Sequence, residues 1–246
     1  MAPRPSRRRA ALSVAALLAL VGCSNDVPVA APRTTPPAAA GTPVACPNPH
    51  GGVCRGPLGP GTYTTGSFTP TLTYTVPTGW DNEEDLPGNF LLLPPGGSLS
   101  GVDAGSSDYI GVYSSVRVAD PDCAPTQLTD VAATPADMAA YFTAHAGLAT
   151  TNRRDVTVDG RPGVAVDISL KKGWTTGCDA LSGPLVPMII GVGLSELEHA
   201  VIPGLTVRLL LVEDHGSVLA IEIDDASGGA HLDTYEALVE TFDFAD

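Results

Sequence analysis

Residues 205–224 read LTVRLLLVEDHGSVLAIEID, two apolar runs separated by the tetrapeptide EDHG. Runs rich in Val, Ile and Leu that are bounded by Asp and Gly are typical of strands joined by a tight turn. Each run is also shorter than an ordinary helix. The stretch therefore predicts a β-hairpin with strands over residues 205–212 and 218–224, and hence a fold built on a sheet.

The register of this hairpin depends on its loop. A three-residue loop, with Gly216 in the left-handed conformation, places Arg208 opposite Glu222. This register gathers apolar side chains on the other face, whereas a slip of one residue scatters them. That face comprises Leu205, Val207, Leu209, Leu211, Leu219, Ile221 and Ile223. We therefore expect Arg208 and Glu222 to form a cross-strand contact worth about 0.2–1 kcal/mol, with no catalytic role.

Further strands and two helices are predicted around the hairpin. The other strands cover residues 61–68, 71–76, 90–93, 109–118, 150–158, 163–170 and 185–192. The first helix begins after Thr134, a good N-cap, with Pro135 at its first position, and the second runs from about residue 229 to 241. Strands, a helix, more strands and a terminal helix predict an α+β fold, an antiparallel β-sheet flanked by helices.

The N-terminus predicts an export signal. An arginine-rich start precedes an apolar segment over residues 10–21, which is too short to span a membrane. The segment ends in Leu-Val-Gly-Cys23, which resembles the bacterial lipobox. The resemblance implies cleavage before Cys23 and lipid attachment to its thiol. An ordinary signal peptide with a chance cysteine and a twin-arginine signal at Ser6-Arg7-Arg8 are the alternatives.

These features divide the chain into three parts. Residues 1–22 are the predicted lipoprotein signal peptide. Residues 23–59 are a lipidated tether rich in Pro, Ala and Thr, predicted to be disordered, that ends in a Gly/Pro collar. Residues 60–246 are long enough for a single globular α+β domain. We expect the protein at the extracytoplasmic face of the cell membrane, held through lipid on Cys23.

The charge balance of the chain limits the kinds of partner that the protein is expected to bind. The chain has 13 Lys and Arg and 27 Asp and Glu. Removing residues 1–22 takes away four Arg and no acid, leaving nine basic residues against 27 acidic ones, a formal net charge of −18. Nucleic acid is therefore not an expected partner, because its phosphates require Lys and Arg. Attraction to anionic headgroups is excluded on the same ground, so the lipid must supply the anchoring.

Four cysteines remain after Cys23 is set aside, and four allow three disulfide connectivities. We favour Cys46–Cys54, which closes a local Pro/Gly-rich loop, and Cys123–Cys178. The alternative is a metal site formed by Cys46, His50 and Cys54. Zinc prefers four ligands, and no fourth lies nearby in the sequence.

The motifs predict neither a catalytic site nor a cofactor. The nucleophile elbow, the phosphate-binding glycine loops and the H-E-x-x-H zinc motif do not occur. The densest polar stretch is Ser195–His199, interpreted as a capping box on a short helix; the alternative is a metal site at Glu196, Glu198 and His199. The acids of residues 81–85 are interpreted as a solvated loop, with calcium binding as the alternative.

The chain resembles PsbP-like α/β/α sandwich proteins. The resemblance rests on the order of elements and on two stretches, TLTYTVPTGW at 71–80 and GWTTGC at 173–178. The body, residues 60–246, is similar to actinobacterial lipoproteins that are assigned to that fold and whose roles are mostly unknown. This resemblance implies a binding, sensing or assembly module of the cell envelope, with no catalytic residues to carry over. We therefore expect an envelope protein, a wall component or a small ligand to bind a sheet face or the loops near Trp80 and Trp174; an envelope hydrolase or metal-dependent enzyme is the alternative.

Overall fold

The structure is a computed structural model that describes residues 55–178, 183–191 and 198–245. The strands are β1 Gly56–Pro57, β2 Gly61–Thr64, β3 Thr71–Val76, β4 Asp81–Leu86, β5 Asn89–Leu93, β6 Tyr109–Tyr113, β7 Val116–Val118, β8 Leu148–Val158, β9 Arg161–Leu170, β10 Val186–Gly191, β11 Glu198–Val201, β12 Thr206–Asp214, β13 Ser217–Asp225 and β14 Asp243–Ala245. The helices are α1 Leu99–Asp103, α2 Pro135–Ala144 and α3 Leu232–Val239. Across these ranges, no helix has the length and apolarity needed to cross a bilayer.

The fold is dominated by an eight-stranded antiparallel sheet in the order β1-β4-β5-β6-β13-β12-β9-β8. Two three-stranded sheets accompany it, in the orders β11-β10-β7 and β14-β3-β2. The predicted antiparallel α+β arrangement is therefore confirmed in its main features, although strands outweigh helices. The hairpin of β12 and β13 lies at the centre of the main sheet.

Both faces of the central hairpin are buried. One face, called the α3 face, carries Leu210 and Ile221 and packs against α3 and the β14-β3-β2 sheet. The opposite α2 face carries Leu209 and Leu211 and packs against α2 and the β11-β10-β7 sheet. Strands covered on both faces need apolar residues at successive positions, which explains the continuous apolar runs of the sequence.

The predicted register of this hairpin is wrong by one residue. Asp214 pairs with Ser217, so the loop is the dipeptide His215-Gly216, and Arg208 faces Ile223 instead of Glu222. Both loop residues have positive φ (48° and 82°), as a type I′ turn requires. The prediction assumed that only one face was apolar. Because both faces are buried, the apolar pattern does not select the register, and the turn decides it.

Arg208 fastens α3 to the sheet. Its guanidinium donates two hydrogen bonds to Asp167 on the neighbouring β9, at 2.7 and 2.9 Å. It also donates to Asp233 and Glu236 of α3, each at 2.7 Å. Burial alone would raise the pKa of Asp167, but the hydrogen bonds from Arg208 and Asn152 outweigh it and lower that pKa. The buried cation is thus matched by carboxylates from both elements.

Two polar stretches form strands where other structures were predicted. The acids of residues 81–85 lie on β4 and do not form a solvated loop. The Asp85 carboxylate is buried and accepts hydrogen bonds from the backbone N–H groups of residues 66–68. Glu198 and His199 begin β11 and do not belong to a short helix; Ser195 and Glu196 lie outside the described residues.

The predicted helices are present. Thr134 caps α2 by accepting a hydrogen bond from the Asp137 N–H at 3.2 Å, as expected. The second helix, α3, begins only at Leu232, because Gly228 and Gly229 adopt positive φ. The predicted strand 109–118 is divided into β6 and β7 by Ser115, whose φ is 55°.

A disulfide joins Cys123 and Cys178, with Cα atoms 5.7 Å apart, and confirms this predicted pair. It links the segment that follows β7 to the segment that precedes β10. Cys23, Cys46 and Cys54 lie outside the described residues.

Replacing Arg208 with methionine should lower the free energy of unfolding by about 3 kcal/mol, because Asp167 is left buried without its cation. This loss lies at the low end of the range for broken buried ion pairs, because the Asp233 side chain is 94% exposed and keeps part of the network near solvent. Urea denaturation measures the change. The exposed Arg153→Met control should stay within about 0.5 kcal/mol of wild type. Adding Asp167→Leu to Arg208→Met should recover much of the loss; a double variant less stable than the single one would contradict this account.

Candidate functional site

An open groove of about 860 Å³ lies beside α3 and is here called the α3 groove. One wall is α3, a second is the end of β3 with the turn into β4, and a third is formed by the segments 94–97 and 106–108. Side chains on its lining include Val76, Pro77, Trp80, Pro94, Pro95, Asp108, His231, Thr234, Tyr235, Ala237 and Leu238. Its volume suits a small organic ligand.

The floor of the groove is aromatic. Trp80 and Tyr235 meet edge to face with ring centroids 5.5 Å apart, and both rings are largely buried. The Trp80 carbonyl accepts a hydrogen bond from the Leu58 N–H at 2.8 Å, which fixes the chain beneath the ring. Gly79, just before Trp80, has a φ of 91°, and a Cβ there would lie 3.1 Å from the Pro95 ring. The turn into β4 therefore needs glycine both for its backbone conformation and for its approach to the opposite wall.

One end of the groove is polar. Asp108 accepts hydrogen bonds from the Ala226 N–H at 2.8 Å and from the Tyr235 hydroxyl at 2.9 Å. Its second oxygen also lies 2.9 Å from His231 Nδ1. Burial, followed by the hydrogen bond to Asp108, raises the pKa of Tyr235, so its hydroxyl stays protonated and donates.

Asp225 lies beneath Asp108 and His231 and is fully buried. Its carboxylate accepts hydrogen bonds from the backbone N–H groups of Ser227 and His231, at 2.6 and 2.5 Å. Burial acts to raise the pKa of Asp225, but these hydrogen bonds outweigh it and lower that pKa. Asp108, Asp225 and His231, here called the Asp108 clip, hold the turn between β13 and α3 in place.

The Asp108 clip also has the composition of a cation site. One ligand atom from each residue lies within 4.8 Å of the others. However, both oxygens of each carboxylate already accept hydrogen bonds from the chain or face the imidazole. Zinc prefers four ligands, and the clip offers three. The geometry therefore favours a structural role, with Asp108 also giving the groove a negative end.

The two tryptophans predicted near a binding surface are separated. Trp80 is part of the α3 groove, whereas Trp174 packs with the α2-face core and donates its indole N–H to the Leu185 carbonyl at 3.1 Å. Its ring also meets His145 edge to face. The structure thus supports the loops near Trp80 as a candidate surface, while Trp174 both packs against the core and lines a smaller cavity of about 360 Å³.

The other predicted polar candidates do not assemble around one point in the described part of the chain. His199 Nδ1 lies 2.9 Å from Glu222 Oε2, within ion-pair distance but outside hydrogen-bond geometry. Glu84 accepts a hydrogen bond from Asn89 on the same face of the main sheet, whereas Asp85 lies on the opposite face and is occupied by backbone N–H groups. Glu196 lies outside the described residues.

Glu222 belongs to a buried polar cluster on the α2 face. Asp224 is two residues along β13, and Tyr109 and Tyr113 of β6 lie beside the two carboxyls. Both carboxyl side chains are almost completely buried, and Asp224 Oδ1 lacks a hydrogen-bond partner among the described residues. Burial, reinforced by the charge of Glu222, raises the pKa of Asp224 well above its ordinary value of 3.8. This cluster carries a cost in stability.

Comparison with known proteins finds matches only among solved structures. No protein-family model and no curated protein match the chain. Among solved structures, a protein from Bacteroides thetaiotaomicron VPI-5482 is similar over 71% of this chain and 45% of its own, with 10% identity and a TM-score of 0.36. A protein of unknown function from Pseudomonas aeruginosa matches 69% of this chain and 88% of its own (12% identity, TM-score 0.33).

A PsbP protein is also among the similar structures. The cyanobacterial PsbP (CyanoP) from Synechocystis sp. PCC 6803 matches 73% of this chain and 91% of its own, at 11% identity and a TM-score of 0.34. The chain spans less than half of the Bacteroides protein.

Replacing Asp224 with asparagine should stabilise the protein at neutral pH. Because the folded-state pKa of Asp224 is raised, the folded protein retains a proton that the unfolded chain releases above about pH 4. Wild-type stability should therefore fall as the pH rises from 4 toward the folded-state pKa, and Asp224→Asn should remove this component. Thermal melting at pH 4, 6 and 8 measures the difference, which should grow with pH in favour of the variant. The exposed Asp243→Asn is the control. An Asp224→Asn variant that melts below wild type by the same amount at all three pH values would contradict the raised pKa.

Proposed function

We propose that this protein is an exported, lipid-anchored binding module of the cell envelope, and that the α3 groove is its ligand site. The single observation that carries the ligand site is the groove itself, a cavity of about 860 Å³ with an aromatic floor and one charged end. Ligand sites typically combine a mostly apolar lining with a few placed polar groups.

The chemistry of the groove supports binding more than catalysis. Among the described lining residues, the ionisable side chains are Asp108, His231 and Tyr235. Asp108 and His231 face each other, and the Tyr235 hydroxyl donates to Asp108. The groove serine hydroxyls are engaged locally, since Ser107 donates to the Asp108 carbonyl at 3.2 Å. Ser227 Oγ lies 3.1 Å from His231 Nδ1, but the same nitrogen faces Asp108 at 2.9 Å. Hydrolysis requires a nucleophile with a general base of its own, and this shared nitrogen does not provide one.

The proposal also covers the fold family and the type of lipoprotein. Helices on opposite faces of an antiparallel sheet support a PsbP-like α/β/α sandwich, with α2 on one face and α3 on the other. The lipobox that ends at Cys23 supports a bacterial lipoprotein, and the motifs of the body at 71–80 and 173–178 extend the proposal to the actinobacterial lipoproteins of that fold. The acidic chain then reaches the membrane through lipid and presents the groove outside the cell.

Filling the groove should abolish ligand binding without unfolding the protein. Ala237 is exposed on α3 and lines the groove, so Ala237→Trp places a large ring in the cavity. We expect wild type to melt at higher temperature with fractionated envelope extract or soluble wall fragments, and Ala237→Trp to show no such shift. Ala140→Trp, at an exposed position of α2, is the matched control and should respond like wild type. A shift that survives Ala237→Trp, or the absence of any shift in wild type, would overturn the groove as the ligand site.

Lipid attachment is tested separately. Intact-mass spectrometry of the native chain should find a polypeptide that begins at Cys23 and carries a diacylglyceryl group. Cys23→Ser should move the protein from the membrane to the soluble fraction, because one thioether-linked diacylglyceryl group supplies most of the anchoring. Ser24→Ala should leave the protein in the membrane. An unmodified Cys23 in the native chain would contradict the anchor and leave the groove proposal unaffected.

A further inference from the structure

We propose that the α3 groove selects a small organic cation, an ammonium group carried on an apolar body. This inference rests on the proposed binding function and assigns its ligand class. It follows from the charge of the groove and from the nature of its floor, which are independent of each other.

The charge of the groove is negative at one end. Neither lysine nor arginine occurs among its described lining residues. Asp108 provides the carboxylate, and the buried Asp225 lies beneath it. His231 Nδ1 lies 2.9 Å from Asp108 and 3.9 Å from Asp225, so two carboxylates face one imidazole at this end of the groove. An anionic ligand would meet two carboxylates there without a counter-charge, whereas a cation would be attracted.

The floor of the groove also favours a cation with an apolar surface. Trp80 and Tyr235 provide aromatic rings, and an ammonium group near such a ring is attracted by its quadrupole. Pro77, Pro94 and Pro95 supply further apolar contact without donors of their own. An alkylammonium ion fits this combination, because its charge is spread over methyl or methylene groups that prefer contact to hydration.

A bare metal ion fits less well. It would need several oxygen or nitrogen ligands at once, and each carboxylate oxygen of the Asp108 clip already has a partner. An organic cation needs only to approach the charge of the Asp108 carboxylate, and it gains the rest of its contact from the floor. The His231 side chain is 48% exposed, so this end of the groove is open to a ligand from solvent.

A pair of probes that differ only in charge tests the inference. Choline is the cationic probe, and 3,3-dimethylbutan-1-ol is its neutral isostere. Isothermal titration or ligand-detected NMR on the full mature chain measures both dissociation constants. We expect choline to bind at least about tenfold more tightly than the alcohol. Asp108→Asn should reduce this ratio to near one, whereas Asp243→Asn, which removes the same charge outside the groove lining, should leave it unchanged.

Failure of the cation inference can be distinguished from failure of the proposed binding function. A wild-type ratio near one, or binding of neither probe, overturns the cation inference, and this result does not depend on how any variant folds. If Asp243→Asn lowers the choline-to-alcohol affinity ratio as much as Asp108→Asn does, the cation inference is also overturned, because the ratio would then depend on the net charge of the protein. Displacement of choline by stoichiometric zinc or calcium would assign the Asp108 clip to a metal ion and overturn it as well. In each case, a thermal shift that is lost in Ala237→Trp would still support the groove as a ligand site.

Discussion

Burial of both faces of the β12–β13 hairpin is the constraint on which the rest of the structure depends. Leu209 and Leu211 face the α2 core, while Leu210 and Ile221 face the α3 core. Every polar side chain on these strands must therefore find a partner inside the protein. Arg208 finds three carboxylates, whereas Asp224 has a raised pKa and one oxygen without a hydrogen-bond partner in the described part of the chain.

The groove is a consequence of how α3 is attached to this hairpin. Arg208 fixes one side of α3 through Asp233 and Glu236, and the Asp108 clip fixes the turn that leads into it. With the helix held at these points, Tyr235 meets Trp80 and the space between α3 and the proline-rich walls stays open. The same carboxylate that anchors the turn gives the groove its charge, so Asp108 contributes to both stability and binding.

The sequence predicted the elements better than their pairing. The apolar runs and the Thr134 cap correctly identified the central strands and α2, because these patterns reflect local periodicity and hydrogen bonding. The register of the hairpin was missed, since burial of both faces removed the pattern that would select it. The acids of β4 are predicted to form a loop because the sequence does not show the partners of Asp85. These partners are the N–H groups of residues 66–68, which belong to a separate segment.

The candidate site was only partly predictable, for a similar reason. Trp80 was identified from its motif, but Asp108, Asp225 and His231 come from distant positions and carry no shared spacing. Trp80 and Trp174 are the two tryptophans of the chain, and they lie in different cores. The most direct test of the central claim is therefore a two-dimensional NMR titration with choline that follows both indole N–H resonances. The account predicts a shift at Trp80 and none at Trp174; movement of Trp174 with Trp80 unchanged would contradict it.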